Sequence, residues 1–226
     1  MLSREAEHPR YVAVIADGNR RWAHAHGRGP GAGHAAGADT LRERIADAIR
    51  LGVRELTVFS FSTENWSRPP QEVAELIEML TGRIASETPG LHERGVRMRF
   101  LGRRDGVPAS MLGQMRWAEG LTAQNRRLDL YVAFNYGGRA EIVEAAARFK
   151  GGTEQDFRAC LYAPEMHDPD LVIRTGAERR LSNYLLWQAA YAELVFRDEL
   201  WPDFSRAAFE DCIEVFRARK RRFGGR

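Results

Sequence analysis

The stretch YVAVIADGNRRW, residues 11–22, decides the fold, because an apolar run stops abruptly at a carboxylate, a glycine and two arginines. A short run rich in β-branched residues and closed by Asp-Gly predicts a buried strand that ends in a turn. At such a turn Asp17 could bind Mg²⁺, Gly18 could expose backbone N–H groups to an anion, and Arg20 and Arg21 could neutralise that anion. Taken alone, these residues favour a diphosphate site no more than an Asp-Gly turn with solvated arginines.

Composition bounds the class of protein. The 226 residues include 34 Lys and Arg against 31 Asp and Glu, a net charge of only +3, so no nucleic-acid partner is expected. The two cysteines, Cys160 and Cys212, form no disulfide or zinc pattern. Since the sequence shows no signal peptide and no apolar run of about 20 residues, we expect a cytoplasmic protein without stable membrane insertion. Residues 1–226 are expected to form a single domain.

Short β-branched runs alternate with segments of helical periodicity along the chain. This alternation is typical of an α/β fold in which helices cover both faces of a largely parallel, six-stranded sheet. The predicted strands are residues 11–16, 55–61, 96–101, 128–134, 170–174 and 192–196. The predicted amphipathic helices have apolar faces at Leu41, Ile45, Ala48 and Ile49, ended by Gly52; at Val73, Leu76, Ile77, Leu80 and Ile84; at Ile142, Val143, Ala146 and Phe149; and, capped by Ser205, at Phe209, Ile213 and Phe216.

Polar and charged residues follow these predicted strands at the points where they end. Asp17 follows the first strand, residues 62–70 the second, residues 135–139 the fourth and residues 174–183 the fifth, while Glu193 lies in the sixth. In a parallel sheet these ends meet at one edge, which is where ligands bind in such folds. The sequence therefore predicts one site that combines arginines, carboxylates and hydroxyl groups.

The chain resembles the cis-prenyltransferases, the undecaprenyl diphosphate synthase family, over almost its whole length. The resemblance rests on motifs in a fixed order: DGNxRW at Asp17, GH at Gly33 with Gly37 after it, FSxENWxRP at Phe61, NYGGR at Asn135, DLVIRTG at Asp170, YAEL at Tyr191, LWPDF at Leu200 and RRFGG at Arg221. It implies an α/β homodimer with a hydrophobic tunnel and Mg²⁺ as cofactor. The implied reaction joins an allylic diphosphate to isopentenyl diphosphate and gives a cis double bond.

The resemblance also implies roles for individual residues. Asp17 and Glu193 would bind Mg²⁺, and Asp17 and Asn65 would be catalytic. Because an amide is a poor base, we interpret Asn65 as an orienting group and a pyrophosphate oxygen as the proton acceptor. The implied substrate-binding residues are Gly18, Asn19, Arg20, Arg21, Trp22 and His34 for the allylic diphosphate; Arg68, Arg174, Arg180 and Ser182 for the second diphosphate; and Ser62, Thr63, Glu64, Trp66 and Leu181 beside them.

Several of these residues have a purely structural alternative. His34 could be a helix-start histidine, and Glu193 could be a solvent-facing residue of an edge strand. Residues 73–84 are core by default, although in the family this helix also lines the tunnel. The basic residues from Arg217 to Arg222 are interpreted as a solvated helix end.

The chain departs from the family pattern in ways that bear on the product. Pro30 stands where the family has an arginine, and Arg28 could replace that arginine only if the loop folds back. Arg179 stands where the family has a histidine, the stretch between Arg139 and Asp170 is short, and Arg83 falls in the tunnel helix. We therefore expect a short-chain enzyme with a product of about three or four isoprene units, since a charge in the wall cannot cheaply solvate a longer tail.

Two further possibilities stay open within this interpretation. The enzyme could join two dimethylallyl-type diphosphates head to middle, giving a lavandulyl skeleton, as some family members do. Alternatively, it is an ordinary head-to-tail synthase of the undecaprenyl type. A non-catalytic partner subunit of a prenyltransferase is the non-enzyme alternative, and Asp17 argues against it because such a subunit can dispense with its metal carboxylate.

Overall fold

The sheet has six strands in the order β3-β4-β2-β1-β5-β6, and all five pairings are parallel. The computed structural model describes residues 8–219. The strands are β1 (Tyr11–Ile15), β2 (Glu55–Ser62), β3 (Val96–Leu101), β4 (Leu128–Tyr136), β5 (Leu171–Arg174) and β6 (Glu193–Phe196). The predicted α/β class and every predicted strand are confirmed to within two residues at each end.

Within residues 8–219, seven α-helices connect and cover these strands. They are α1 (Asn19–Ala25), α2 (Pro30–Arg50), α3 (Pro70–Glu93), α4 (Ala109–Thr122), α5 (Gly138–Arg148), α6 (Glu154–Arg158) and α7 (Arg206–Ala218). Ser205 caps α7 as predicted, since its Oγ accepts a hydrogen bond from Ala208 N at 3.2 Å. Within the described residues, no helix is both long and apolar enough to cross a bilayer.

Two apolar layers lie on opposite faces of the sheet. Val12 and Val14 of β1 belong to the larger layer, which contains the buried sides of α2, α3, α4 and α7. Ala13 and Ile15 belong to the smaller layer, which is rich in tyrosine and includes Tyr184. Because β1 is buried on both faces, it reads as an unbroken apolar run rather than an alternating one.

The sheet extends from β1 in both directions, towards β2 on one side and β5 on the other. The chain order therefore reverses at β1, and in open parallel sheets this is where a crevice forms outside the carboxyl ends of the strands. Asp17 comes two residues after β1 and stands at this crevice. The topology thus places the DGN motif where ligands are expected to bind.

The apolar face predicted for α5 is wrong. Val143 is 68% exposed and Ala146 is also exposed, whereas Glu141 and Ala145 are buried. The reason is that the Glu141 carboxylate accepts hydrogen bonds from Tyr136 Oη, Gln188 Nε2 and Tyr162 N, at 2.6, 3.0 and 3.1 Å. A satisfied buried acid, rather than a stripe of apolar residues, sets which side of α5 faces inwards.

Close approach of α1 to α2 requires glycine at two positions of α2. A Cβ at Gly33 would lie 2.0 Å from Asn19 O, and one at Gly37 would lie 2.4 Å from Asn19 Oδ1. The backbone oxygen cannot move without displacing α1, which carries the residues next to Asp17.

We expect Gly33→Ala to lower the free energy of unfolding by about 1–3 kcal/mol, the usual range for overpacking a tight contact. Gly31→Ala is the matched control, because nothing lies within 4 Å of a Cβ there. It should change stability by less than about 1 kcal/mol. Urea unfolding followed by circular dichroism measures both; equal stabilities of the two variants would contradict the packing argument.

Candidate active site

A cavity of about 500 Å³ opens at the carboxyl ends of β1, β2 and β5. One end is polar, and the other is apolar, formed by Ile15, Leu41, Leu76, Met79 and Leu80 from β1, α2 and α3. The predicted site residues that line the cavity are Asp17, Gly18, Asn19, Arg20, Arg21, His34, Ser62, Asn65, Arg68, Arg174 and Arg180. The structure therefore brings together residues from several separate loops, and it supplies an apolar space next to the charged end.

The Asp17 carboxylate is held by two arginines. Its Oδ1 accepts a hydrogen bond from Arg21 Nη2 at 3.2 Å, and its Oδ2 accepts one from Arg174 Nη2 at 2.7 Å. The backbone of Asp17 is fixed as well, since its N–H donates to Thr175 Oγ1 and its carbonyl accepts from Trp201 N. The side chain is 31% exposed. Asp17 is thus a rigidly placed carboxylate whose charge is shared by two cations.

Arg174 ends β5 and is almost fully buried. Its Nη2 reaches Asp17, and its Nη1 donates to Arg180 O and to Ser182 Oγ, both at 2.6 Å. These contacts explain the predicted pairing of Arg174 with Ser182, although Ser182 does not itself line the cavity. Arg180 differs, because its side chain is 60% exposed and pairs with Glu178.

A second group of charges consists of Arg20, Arg68 and Glu72, of which sequence reasoning missed Glu72. Glu72 Oε1 accepts hydrogen bonds from Arg20 Nη1 and from Arg68 Nη1, each at 3.2 Å. His34 lies beside them, and burial together with the nearby positive charge of Arg68 lowers its pKa below the ordinary value, while Glu72 opposes that shift. A neutral imidazole between two guanidinium groups can still donate one hydrogen bond to an anion. The only signal for Glu72 in the sequence was an acid in the first turn of α3.

Asn65 is oriented by its own loop. Its Oδ1 accepts a hydrogen bond from Ser62 N at 3.0 Å, which closes a capping box around the 3₁₀ turn Thr63–Ser67. The acceptor side of the amide is therefore occupied by the backbone, and the NH₂ group is the part that can contact a substrate. This arrangement agrees with an orienting role and not with that of a base.

Several predicted residues lie near the cavity but do not line it. The Trp66 indole donates to Asn135 Oδ1, the Trp22 indole donates to Asp203 Oδ1, and Thr63 donates to Glu64. The predicted residues outside the lining are Trp22, Thr63, Glu64, Trp66, Leu181, Ser182 and Glu193. Except for Glu193, each belongs to a chain segment that also carries a lining residue. These side chains therefore help to hold the lining residues in position without lining the cavity themselves.

The structure does not bring Glu193 to Asp17 within one chain. Glu193 is the first residue of β6 and pairs in register with Leu171, whereas Arg174 pairs with Phe196 at the other end of the strand. Glu193 therefore lies at the amino edge of the sheet, where its Oε2 accepts a hydrogen bond from Arg219 Nη1 at 2.8 Å. The sequence predicts the strand of Glu193 correctly. Because Glu193 is the first residue of this strand, however, it lies at the edge of the sheet remote from the site.

Two expectations about the departures from the family pattern also change. Arg28 lies over the Trp22 ring, 5.9 Å from its centroid, and does not line the cavity. It therefore does not substitute for the family arginine that is Pro30 in this chain. Arg83 does not interrupt the apolar wall. Its guanidinium donates to Asp39 Oδ1 and Ala35 O, and so it joins α3 to α2 outside the cavity. The argument from Arg83 against a long product therefore fails.

The basic C-terminal segment is only partly described. Arg217 Nη1 pairs with Glu214 at 2.6 Å, as expected for a solvated helix end. Lys220, Arg221 and Arg222, and with them the RRFGG motif, lie outside the described residues.

The donor set at Asp17 fits Mg²⁺ only in company with a phosphate. Within residues 8–219 no group of three or more His, Cys, Asp or Glu side chains is arranged to hold a metal. Mg²⁺ commonly binds through one or two carboxylates together with substrate phosphates and water. A single carboxylate beside several arginines suits that mode of binding.

Comparison with known proteins shows the family of the chain. Residues 15–224 match the undecaprenyl diphosphate synthase family. Isoprenyl transferase 2 of Bradyrhizobium diazoefficiens is 46% identical over 228 residues, covering 96% of this chain and 90% of the relative. The ditrans,polycis-undecaprenyl-diphosphate synthase ((2E,6E)-farnesyl-diphosphate specific) of Escherichia coli K12 is 42% identical over 229 residues, covering 96% and 90%. The crystal structure of lavandulyl diphosphate synthase from Lavandula x intermedia, in complex with dimethylallyl diphosphate, has a TM-score of 0.94 and 31% identity, covering 98% of this chain and 100% of that one.

The charges around His34 give a prediction that does not depend on catalysis. We expect an NMR titration to give His34 a pKa below 6.5, and Glu72→Gln to lower that pKa further, because the variant removes the negative charge that favours the protonated ring. Glu75→Gln, one turn along α3, is the matched control and should leave the His34 pKa where it is. A rise of the pKa in the Glu72 variant would mean that the site geometry is wrong.

Proposed function

The chain belongs to the undecaprenyl diphosphate synthase family and is a prenyltransferase, and from this premise we propose that it joins an allylic diphosphate to isopentenyl diphosphate, head to tail, with cis geometry. The observation that carries the proposal is the cavity itself, because arginines that follow three different strands line it together with Asp17 and with apolar residues. The names of the curated relatives favour this reaction over the head-to-middle one.

The residues divide the work between two diphosphates. Ionisation of the allylic substrate places negative charge on the departing pyrophosphate, so fixed cations there lower the barrier. Arg20 and Arg21, with Asp17, are proposed to bind this group, and Mg²⁺ held by Asp17 and the diphosphate would stabilise the same charge. Arg174 and Arg180, with Arg68 and Ser182, are proposed to hold the second diphosphate. Arginine suits both places, because its planar guanidinium binds phosphate oxygens in pairs and stays charged.

The loop after β2 would orient the acceptor. The free NH₂ group of Asn65 can hold a diphosphate oxygen or the reacting C5 unit at a fixed angle. The proton lost after the carbon–carbon bond forms is proposed to go to an oxygen of the departing pyrophosphate, since the arginines of the described cavity lining stay protonated and the Asn65 amide is a poor base.

A short product is the second candidate, and the size of the cavity favours it. A cavity of about 150 Å³ accommodates one benzene ring, so a cavity of 500 Å³ would hold at most on the order of 20 carbons, even with no space given to the diphosphates. The similarity to lavandulyl diphosphate synthase over the whole chain points the same way, including the possibility that dimethylallyl diphosphate is the acceptor. A longer product would require α2 and α3 to separate as the tail grows.

We also propose a homodimer in the cytoplasm. Residues between α6 and β6, among them Tyr162, Tyr184 and Ala189, complete the tyrosine-rich layer, and Val143 and Tyr191 are 68% and 75% exposed. Large exposed apolar residues of this kind fit contact with a second copy. If Glu193 binds Mg²⁺ together with Asp17, the two carboxylates would have to come from different copies.

The reaction is tested by product analysis. Dimethylallyl, geranyl, farnesyl and isopentenyl diphosphates are offered singly and in pairs with Mg²⁺, and the products are identified by mass spectrometry and NMR. Head-to-tail synthesis predicts product only when isopentenyl diphosphate is present, with a new cis double bond. Product from dimethylallyl diphosphate alone would instead establish the lavandulyl-type reaction, and no product from any pair would refute both.

The metal role of Asp17 gives a separate prediction. Asp17→Asn keeps the size of the side chain but removes its charge, so we expect turnover to fall by about 10²-fold or more while the fold is kept. Asp168→Asn is the control, since Asp168 pairs with Arg158 just before β5, away from the cavity, and its loss should leave turnover unchanged. Turnover that persists in EDTA, or near-normal activity of the Asp17 variant, would remove Mg²⁺ from the mechanism.

A further inference from the structure

The motif NYGGR, residues 135–139, begins with the last two residues of β4 and has no part in the proposed chemistry. Its two glycines stand where other chain segments come very close. A Cβ at Gly137 would lie 2.6 Å from Thr63 Oγ1 and 2.8 Å from Asn183 Nδ2. A Cβ at Gly138 would lie 2.8 Å from Leu186 Cγ and 3.1 Å from Asn183 O. Both glycines therefore make room for the loop that carries Asn183.

Asn183 bonds to two other loops at once. Its backbone oxygen accepts from Gly138 N at 2.7 Å, and its Oδ1 accepts from Arg139 N at 2.8 Å. Its Nδ2 donates to Glu64 Oε1 at 2.8 Å, and this bond lowers the pKa of that carboxyl. The first N–H groups of α5, which Gly137 cannot cap with a side chain, are thus capped from elsewhere in the sequence.

The backbone around Asn183 is held in an unfavourable conformation. Asn183 has φ +67°, the preceding Ser182 has φ +50°, and Leu185, two residues further on, has φ +44°. Asn tolerates the left-handed region better than most residues, but a serine and a leucine there are strained. This path of the chain turns Ser182 Oγ towards Arg174, so the contacts of Asn183 help to keep the hydroxyl in place.

We propose that Asn183 is a positioning residue that fixes the separation between the loop after β2, which carries Asn65 and Arg68, and the segment from Arg174 to Ser182. This inference rests on the proposed function, in which both loops hold the second diphosphate. The position needs a donor on one side, for the Glu64 carboxylate, and an acceptor on the other, for the Arg139 N–H. Among side chains of this size only an amide supplies both.

The contacts of the Asn183 side chain with Arg139 and Glu64, called the junction below, are tested first without substrate, by amide hydrogen exchange resolved by NMR. Asn183→Gly keeps the left-handed backbone but removes both side-chain bonds, so exchange of the Arg139 N–H should rise by about tenfold, as expected for the loss of one hydrogen bond. Asn183→Asp keeps the acceptor, so the Arg139 N–H should stay protected. The Gly138 N–H, which binds a backbone oxygen, should stay protected in both variants. Equal protection of Arg139 in the wild type and the glycine variant would overturn the junction.

The functional role is tested by exchanging donor and acceptor. Asn183→Asp places a carboxylate against Glu64 and should raise the KM for isopentenyl diphosphate by about tenfold, with a smaller change in kcat and in the KM for the allylic substrate. Adding Glu64→Gln supplies an amide that can donate a hydrogen bond to the new carboxylate at position 183. In the double variant the KM for isopentenyl diphosphate should return to within about threefold of the wild-type value. Glu64→Gln alone is measured as the reference.

The two failures are distinguishable. A double variant no better than Asn183→Asp, or a KM change confined to the allylic substrate, would refute the positioning role while leaving the proposed reaction intact. A wild-type protein that forms no prenyl product would refute the proposed reaction, and the exchange experiment would still decide the junction.

Discussion

The candidate site depends on the contact between a buried guanidinium and one carboxylate. Arg174 is 4% exposed at the end of β5, and burial of an unpaired charge is so costly that its partners must be placed accurately. Asp17 is one partner, and Arg180 O and Ser182 Oγ are the others. Because Asp17 follows β1 and the other two partners follow β5, the buried charge ties together the carboxyl ends of these two neighbouring strands. A site that binds anions must keep cations close together, and this network does so before any anion arrives.

Glu72 has a related role in the second group of charges, where it pairs with Arg20 and Arg68. Each cluster of arginines therefore has one internal carboxylate, Asp17 in one and Glu72 in the other. A diphosphate that enters must compete with these carboxylates for the guanidinium groups. The resting site gains stability from the ion pairs, and part of the binding energy of the substrate is spent in separating them.

Most of the sheet could be predicted from the sequence, because short β-branched runs and the turns that end them are local signals. The position of the candidate site could then be predicted from the sheet, because parallel strands bring their carboxyl ends to one edge. Features set by side-chain contacts between distant segments could not be read in this way. The inward side of α5 depends on hydrogen bonds to Glu141, and the position of Arg83 depends on acids in α2 and α3. Glu193 shows a different limit, because its motif gave the strand correctly while its place within the strand decided which edge it occupies.

The capping of α5 by Asn183 also bears on how the chain folds. An α-helix usually carries its own cap, but the first turn of α5 finds its acceptors only when a segment more than 40 residues later has docked. Contacts between distant segments form late, because loop closure must precede them. We therefore expect the first turn of α5 to become ordered only when residues 174–183 become ordered. In the native protein, opening of residues 174–183 would therefore also release the first turn of α5. We expect the amide hydrogens of both segments to exchange with solvent as one cooperative unit.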